Sequence, residues 1–166
     1  MIILVTASRK ITREAHGPII RRTLAYAAGF RSDKVDPDHE LWDGLADGGD
    51  AVCHEIATED FGWKERRFPP NWSACSPERV PGCEPCTPAH RRVRRNRKGD
   101  FCPTAGFRRN QLMVDTLAAM PDRKVCVAFP IPAVGSLGTF DCLARALRAG
   151  IYLHARPLDP ARESTS

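Results

Sequence analysis

The sequence lacks any apolar run long enough to cross a bilayer, which takes about 20 residues in a helix. The apolar start at residues 1–5 is also too short for the core of a signal peptide. We therefore expect a cytoplasmic protein with no membrane partner. A reducing cytoplasm argues against disulfides, so the seven cysteines are expected to bind metal or to be buried.

An excess of acidic charge is absent too, since 25 Lys or Arg against 20 Asp or Glu leave a net charge of +5. The imbalance is concentrated at residues 73–104, where seven basic and three acidic residues give a net of +4. The chain is thus better described as a basic insert on a nearly neutral body than as a basic protein.

Residues 72–104 show no period of 2 or 3.6 and are dominated by Cys, Pro and Arg, which indicates an irregular insert. The whole chain is 42% hydrophobic and 27% charged, as is ordinary for a globular protein. We predict one domain over residues 1–155 that carries the insert 72–104, followed by a polar tail at 156–166.

Outside the insert, strand-like apolar runs alternate with helical patterns. The predicted strands cover residues 2–5, 40–42, 63–68, 125–129 and 151–153. Helical spacing is seen at Ile20 and Leu24, at Val52 and Ile56, at Met113 and Leu117, and at Phe140, Leu143, Ala144 and Leu147. This alternation predicts an α/β fold, a three-layer Rossmann-like parallel sheet of about five strands.

Small or polar residues follow three of these strands. They are Thr6, Ser8 and Arg9 in the first loop, Gly44, Gly48 and Asp50 in the second, and Gly135, Ser136, Gly138 and Thr139 in the third. Parallel sheets bind ligands beyond the carboxyl ends of their strands. The third loop has the order strand, glycine loop, helix, which suits a phosphate, and we place a ribose near the second. Asp50 would contact a ribose hydroxyl or cap the following helix.

The insert contains five candidate metal ligands within 28 residues: Cys75, Cys83, Cys86, His90 and Cys102. Cys83 and Cys86 form a CxxC pair that can hold one tetrahedral ion, and Cys102 with either Cys75 or His90 would complete it. We predict a structural zinc ion, which would order a segment poor in apolar residues. The alternative is a set of free cysteines in a disordered loop.

Residues 90–98 hold six Lys or Arg. They could contact a nucleic acid backbone, steer an anionic ligand toward the predicted site at the ends of the strands, or remain a solvated loop. Aromatic residues are missing from this stretch, which weakens the case for stacking on single strands.

Several motifs occur together in an order that resembles one protein family, the YspA-like branch of the SLOG superfamily. They are Thr6-Ala7-Ser8-Arg9, Gly44-x3-Gly48-x-Asp50, Gly62-Trp63, Ala105-Gly106-x-Arg108-Arg109-Asn110-x2-Met113 and Gly135-Ser136-x-Gly138-Thr139-x-Asp141. The resemblance covers most of residues 1–153. A similar Cys/His insert is found in members from actinobacteria and their phages.

The resemblance implies a Rossmannoid domain that binds a nucleotide or a nucleotide-derived ligand. Its relatives include phosphoribohydrolases, sensors of nucleotide signals and DNA-handling proteins. It also implies that Arg109 and Asn110 contact the ligand, and a guanidinium suits phosphate oxygens. Related folds pair through helices, so a homodimer is an expectation as well.

One departure from the pattern bears on catalysis. The hydrolases keep a Glu three residues after the Gly-Thr pair, where this chain has Cys142, with Asp141 one residue earlier. Asp141 would act as a general base or stabilise an oxocarbenium-like centre, or it would only favour the start of a helix. Our first hypothesis is therefore a binding or sensing domain. The second is a nucleoside-monophosphate glycosidase that uses Arg109 and Asp141, and the third is nucleic acid binding.

Overall fold

The computed structural model describes residues 1–29, 38–72, 92–93, 100–102 and 104–160. Its strands are β1 Ile2–Ala7, β2 Glu40–Asp43, β3 Lys64–Arg67, β4 Arg92–Val93, β5 Asp100–Phe101, β6 Lys124–Phe129 and β7 Tyr152–Ala155. Its helices are α1 Arg13–Ala27, α2 Gly49–Glu55, α3 Ala105–Ala119 and α4 Leu137–Arg148. A π-helical turn at Ile56–Asp60 extends α2, and a 3-10 turn at Pro132–Val134 precedes α4.

Five of these strands form one parallel sheet in the order β3-β2-β1-β6-β7. The predicted α/β class and parallel sheet are thereby confirmed. From β1 the chain adds strands in one direction through β3, and then in the other through β6 and β7. Strand order therefore reverses between β1 and β6, which is where sheets of this kind open a crevice for ligands.

Helices cover both faces of the sheet. Alternation along β1 sends Ile3 and Val5 into the core under α1 and α2, and Ile2 and Leu4 into the core under α3 and α4. The three cysteines outside the insert lie in these cores, and Cys53, Cys126 and Cys142 are all 0% exposed. The sheet is thus fixed from both sides, which positions the loops at its carboxyl edge.

The apolar face predicted for α4 is only partly confirmed, because Leu143 packs against the core while two of the larger residues do not. Phe140 and Leu147 are exposed, whereas the buried face carries Cys142, Arg145 and Ala146. Small side chains let α4 approach the sheet closely, and the buried Arg145 is neutralised by Asp141, so the larger apolar residues point outward. Leu137 and Leu112 are exposed as well.

The insert leaves and rejoins the domain at one point, because the Cys102 amide donates to the Trp72 carbonyl over 2.7 Å. Within it, β4 and β5 pair in antiparallel fashion. Four of the predicted metal ligands, Cys75, Cys83, Cys86 and His90, lie outside the described residues.

None of the helices in the described part of the chain has both the length and the apolar composition of a membrane span.

Candidate functional site

A cavity of about 370 Å³ lies where the strand order reverses, between the carboxyl ends of β1 and β6. Ten of the residues predicted to bind ligand line it: Thr6, Ser8, Arg9, Asp50, Arg109, Asn110, Gly135, Ser136, Gly138 and Thr139. A smaller cavity of about 210 Å³ lies beside it, is lined by Gly44, and shares Arg9 and Arg109 with the first. The structure therefore brings the three sequence-predicted loops together.

The first loop is held by backbone hydrogen bonds on both sides. The Ser8 amide donates to the Phe129 carbonyl of β6 over 3.0 Å, and the Ser8 carbonyl accepts from the Gly49 amide over 3.0 Å. Ser8 is buried, and its hydroxyl accepts from the Lys10 amide over 3.3 Å. The loop turns sharply as a result, and Arg9 and Lys10 lie at the mouth of the cavity.

Asp50 ties the first loop to the second. Its carboxylate accepts from the Ala7 amide over 3.1 Å and from the Ala46 amide over 3.3 Å. The alternative that Asp50 caps α2 is wrong: the capping residue is Gly48, and Asp50 lies inside the helix, so its oxygens reach backward to other loops. Complete burial raises the pKa of Asp50 to about 6, although the nearby Arg109 charge and both amides oppose the rise.

The glycines of the second loop make room for other parts of the protein. The Arg109 guanidinium occupies the place of a Cβ at Gly44, and the Arg9 backbone occupies that of a Cβ at Gly48. Gly48 also has a φ of +82°. Gly48 is not among the residues that line the larger cavity, so its position shapes the loop and not the cavity surface.

Arg109 projects from the first turns of α3 and is largely enclosed. Burial lowers its pKa, while the carboxylate of Asp50 acts in the opposite direction. Its Nε and Nη1 are buried and have no hydrogen-bond partner among the described residues. A charged donor left unsatisfied in this way is costly, unless an anion binds beside it.

The third loop leaves the start of α4 uncapped. Ser136 stands at the capping position, but its hydroxyl turns back to donate to the Ile131 carbonyl over 3.2 Å and to accept from the Ile131 amide over 3.0 Å. The first amides of a helix have no partner within the helix. Gly138 and Thr139, in this first turn, face the cavity and extend the site with backbone donors.

Asn110 and Asp141 connect α3 to α4. The Asn110 amide donates to the Gly138 carbonyl over 3.1 Å and to Asp141 over 2.9 Å, and Arg145 Nε donates to both Asp141 oxygens. Arg145 also donates to Gln111. Asp141 is therefore engaged in a part-buried ion pair, and it is not among the residues that line the cavity.

Sequence reasoning missed the aromatic part of the wall. Trp72 and Phe107 line the cavity, and the Trp72 ring packs 3.6 Å from the position of a Cβ at Gly106. Trp72 is the first residue of the insert, and its carbonyl accepts from the Cys102 amide at the junction beside the cavity. Phe107 lies two residues before Arg109 in the same motif, and this position was the signal in the sequence that could have placed it in the cavity wall.

Cys102 is the one predicted metal ligand that the structure describes. Its sulfur is buried and accepts from Arg108 Nη1 over 3.1 Å, with the Thr104 hydroxyl 3.2 Å away. The Cys102 sulfur therefore lies among polar neighbours at the point where the insert rejoins the domain.

No protein-family model, curated protein or solved structure matches this chain.

Proposed function

We propose that this chain binds a nucleotide or nucleotide-derived phosphate ligand in the cavity between β1 and β6, as a binding or sensing domain. The observation that carries the proposal is the buried Arg109 guanidinium, whose Nε and Nη1 lack hydrogen-bond partners within the described part of the chain. Phosphate oxygens would satisfy these donors with charge-assisted hydrogen bonds.

The uncapped start of α4 supports the same conclusion independently. The Ser136 hydroxyl is committed to Ile131, and the Leu137 amide donates to the Gly135 carbonyl, so the amides of Gly138 and Thr139 remain for a ligand. These amides and Arg109 line one cavity, and Arg9 and Lys10 add positive charge at its mouth. A phosphate would thus meet backbone donors on one side and a guanidinium on the other.

The size and lining of the cavity suit more than a bare phosphate. Its volume of about 370 Å³ falls within the usual range for small-molecule sites. Trp72 and Phe107 provide aromatic surface on which a base could stack. The ordered motifs of the YspA-like branch support the nucleotide assignment further, and we propose membership of that branch on this basis.

A binding experiment tests this proposal directly. The purified full chain is titrated calorimetrically with AMP, ADP-ribose and inorganic phosphate. We expect binding by at least one of them, weakened about 100-fold in Arg109→Ala because that variant loses charge-assisted hydrogen bonds of about 3 kcal/mol in total. Arg123→Ala removes an exposed arginine far from the cavity and serves as the control.

The absence of binding by every probe would overturn the proposal, as would equal affinity in the two variants. Mass spectrometry of small molecules that copurify with the native protein would identify the physiological ligand within the same class.

A second function, cleavage of the base from a nucleoside monophosphate, is favoured by one observation. Asp50 lines the cavity with a pKa raised to about 6, and a carboxyl group with such a pKa can exchange protons near neutral pH. Asp141, our sequence candidate for this role, is paired with Arg145 instead. Release of free base from AMP, lost in Asp50→Asn, would establish this function. No release by the wild-type protein would count against it.

For the insert we propose a structural zinc ion bound by Cys83, Cys86 and Cys102 with Cys75 or His90. Support comes from Cys102, which lies where the insert rejoins the domain and has Arg108 and Thr104 beside its sulfur. Elemental analysis should find zinc in the wild-type protein and a loss of about one equivalent in Cys83→Ser/Cys86→Ser. Equal zinc in both proteins would contradict the assignment.

Nucleic acid binding by residues 90–98 remains the third proposal. It rests on their charge, and it predicts salt-sensitive binding of duplex DNA that neutralisation of this stretch abolishes.

A further inference from the structure

A second polar cluster lies under α2, on the face of the sheet that α1 and α2 cover. Asp43 ends β2, Glu65 lies in the edge strand β3, and His54 projects from α2. The register pairs Leu41 with Glu65, and residues two apart share a face, so Asp43 and Glu65 point to the same side as Leu41. One ligand atom from each of the three side chains lies within 4.8 Å of the other two.

In this cluster, Asp43 has a buried oxygen that no hydrogen bond from the described residues satisfies. The residue is 1% exposed, and its Oδ1 accepts from the Leu45 amide over 2.6 Å. Its Oδ2 is buried and has no hydrogen-bond partner among the described residues. A buried carboxylate oxygen without a donor is costly, and it points to a cation that would occupy the space between the three side chains.

His54 and Glu65 are close without being aligned. Nδ1 of His54 lies 2.6 Å from Oε2 of Glu65, yet the ring N–H is not directed at that oxygen as a hydrogen bond requires. Glu65 also forms an ion pair with Arg67, whose Nε lies 3.0 Å from Oε2 of Glu65. Two ligand atoms about 2.1 Å from one metal ion lie roughly 3 Å apart, so the imidazole and the Glu65 carboxylate would have to separate by a few tenths of an ångström to bind the same ion. Such an ion would also use the free Asp43 oxygen.

The surroundings of the cluster favour a cation. A cavity of about 180 Å³ adjoins it, and four carboxylates line that cavity against the single guanidinium of Arg67: Asp43, Asp47, Asp50 and Glu55. The cavity would supply water or a further carboxylate oxygen to complete the coordination of an ion.

We propose that Asp43, His54 and Glu65 form a binding site for a divalent first-row transition metal ion. One imidazole with two carboxylates suits Mn²⁺, Fe²⁺, Co²⁺ or Zn²⁺ better than Mg²⁺ or Ca²⁺, which prefer oxygen ligands alone. The ion would join Asp43 at the end of β2 and Glu65 within β3 to α2. It thereby fixes the base of the second glycine loop, whose Gly44 lies against Arg109.

Mn²⁺ is the probe that separates this site from the cysteines of the insert, since thiolates select softer ions. Metal-free full-length protein is titrated with Mn²⁺ while the electron paramagnetic resonance signal of the free ion is followed. The variants are His54→Gln and Glu65→Gln, with His154→Gln and Glu14→Gln as matched controls on β7 and on the exposed side of α1. Circular dichroism confirms that each variant is folded.

We expect about one Mn²⁺ per wild-type chain, unchanged binding in both controls, and at least about tenfold weaker binding in each ligand variant. Glu65 is partly exposed on an edge strand, so its variant should fold even if that of His54 does not. Wild-type protein that fails to bind Mn²⁺ below about 1 mM would overturn the site. Binding that survives Glu65→Gln would overturn it equally, and would leave the cluster as a network of ion pairs.

Discussion

The two glycine loops beside the cavity use glycine in opposite ways. In the second loop, protein fills the space next to the glycines: the Arg109 guanidinium at Gly44 and the Arg9 backbone at Gly48. In the third loop, apart from adjoining residues and the helix's own backbone, no atom of the described residues lies within 4 Å of a Cβ placed at Gly135 or Gly138. Glycine thus lets the second loop close against its neighbours, and it leaves the third loop open toward the space where we place a ligand.

The largest effect is expected where a glycine is surrounded by backbone. Gly48→Ala forces a side chain into a φ of +82° and against the Arg9 carbonyl, so it should lower the free energy of unfolding by about 3 kcal/mol or more. Gly150→Ala is the control, because Gly150 has a similar φ of +70° with nothing within 4 Å in the described part of the chain.

We expect Gly150→Ala to cost only about 1 kcal/mol, the strain of the backbone conformation. Urea unfolding of both variants gives the difference. Equal losses would mean that the close approach of Arg9 to the second loop contributes nothing.

The carboxylate that joins the first and second loops should give stability a pH dependence. Asp50 has a pKa of about 6 in the folded protein against 3.8 as the ordinary value, so folding favours its protonated form. Its contribution is fully present below pH 3.8 and is lost as the pH rises through 6. The loss amounts to about 3 kcal/mol.

Urea unfolding at a series of pH values, with EDTA present, measures this contribution of Asp50 to the free energy of unfolding. Asp50→Asn should remove it, so its stability should vary less with pH than that of the wild type between pH 4 and about 6.5. Asp47→Asn changes an exposed carboxylate of the same loop and should keep the wild-type profile. If the stability of the wild type and of Asp50→Asn varied with pH in the same way, Asp50 would not be the origin of the pH dependence.

Gly44→Ala tests the second loop where its neighbour is a movable side chain. The added methyl group displaces the Arg109 guanidinium without removing its charge. Since the end of a flexible side chain can shift, we expect less than about 1 kcal/mol of destabilisation, but about tenfold weaker binding of AMP in calorimetry. Unchanged AMP affinity would show that the position of this guanidinium is not important for the ligand.

The smallest effect on stability is expected in the third loop. Gly138→Ala adds a methyl group in open space within the first turn of α4, where alanine is the better helix former by up to about 1 kcal/mol. We expect equal or higher stability, with AMP bound a few-fold more weakly because the methyl group enters the cavity. A variant that loses stability, as Gly48→Ala should, would remove the contrast between the two loops.

Local patterns were enough to predict the sheet. The apolar runs at residues 2–5 and 125–129 became β1 and β6, and the alternating stretch before Phe68 became the edge strand β3. The buried face of α4 was not predictable in the same way. Arg145 is buried only because Asp141 and Gln111 accept its donors, and hydrophobicity alone cannot show such pairing.

The sequence also indicated which loops would meet, but not how each side chain would be used. Spacing treated Gly48 and Gly138 alike, and only three-dimensional contacts show that one packs against backbone and the other faces open space. Asp43, His54 and Glu65 are spaced 11 residues apart in no metal-binding motif, and parallel pairing of β2 with β3 brings them together. Such a cluster becomes visible only once the strand register is known.

The hydrogen bond between the Trp72 carbonyl and the Cys102 amide has an evolutionary consequence. Because the two ends of the intervening segment meet there, its length can change without shifting the register of β3 or the start of α3. Natural selection could therefore add, exchange or delete this module as a unit, and the same junction is where an engineer could replace it with a short turn.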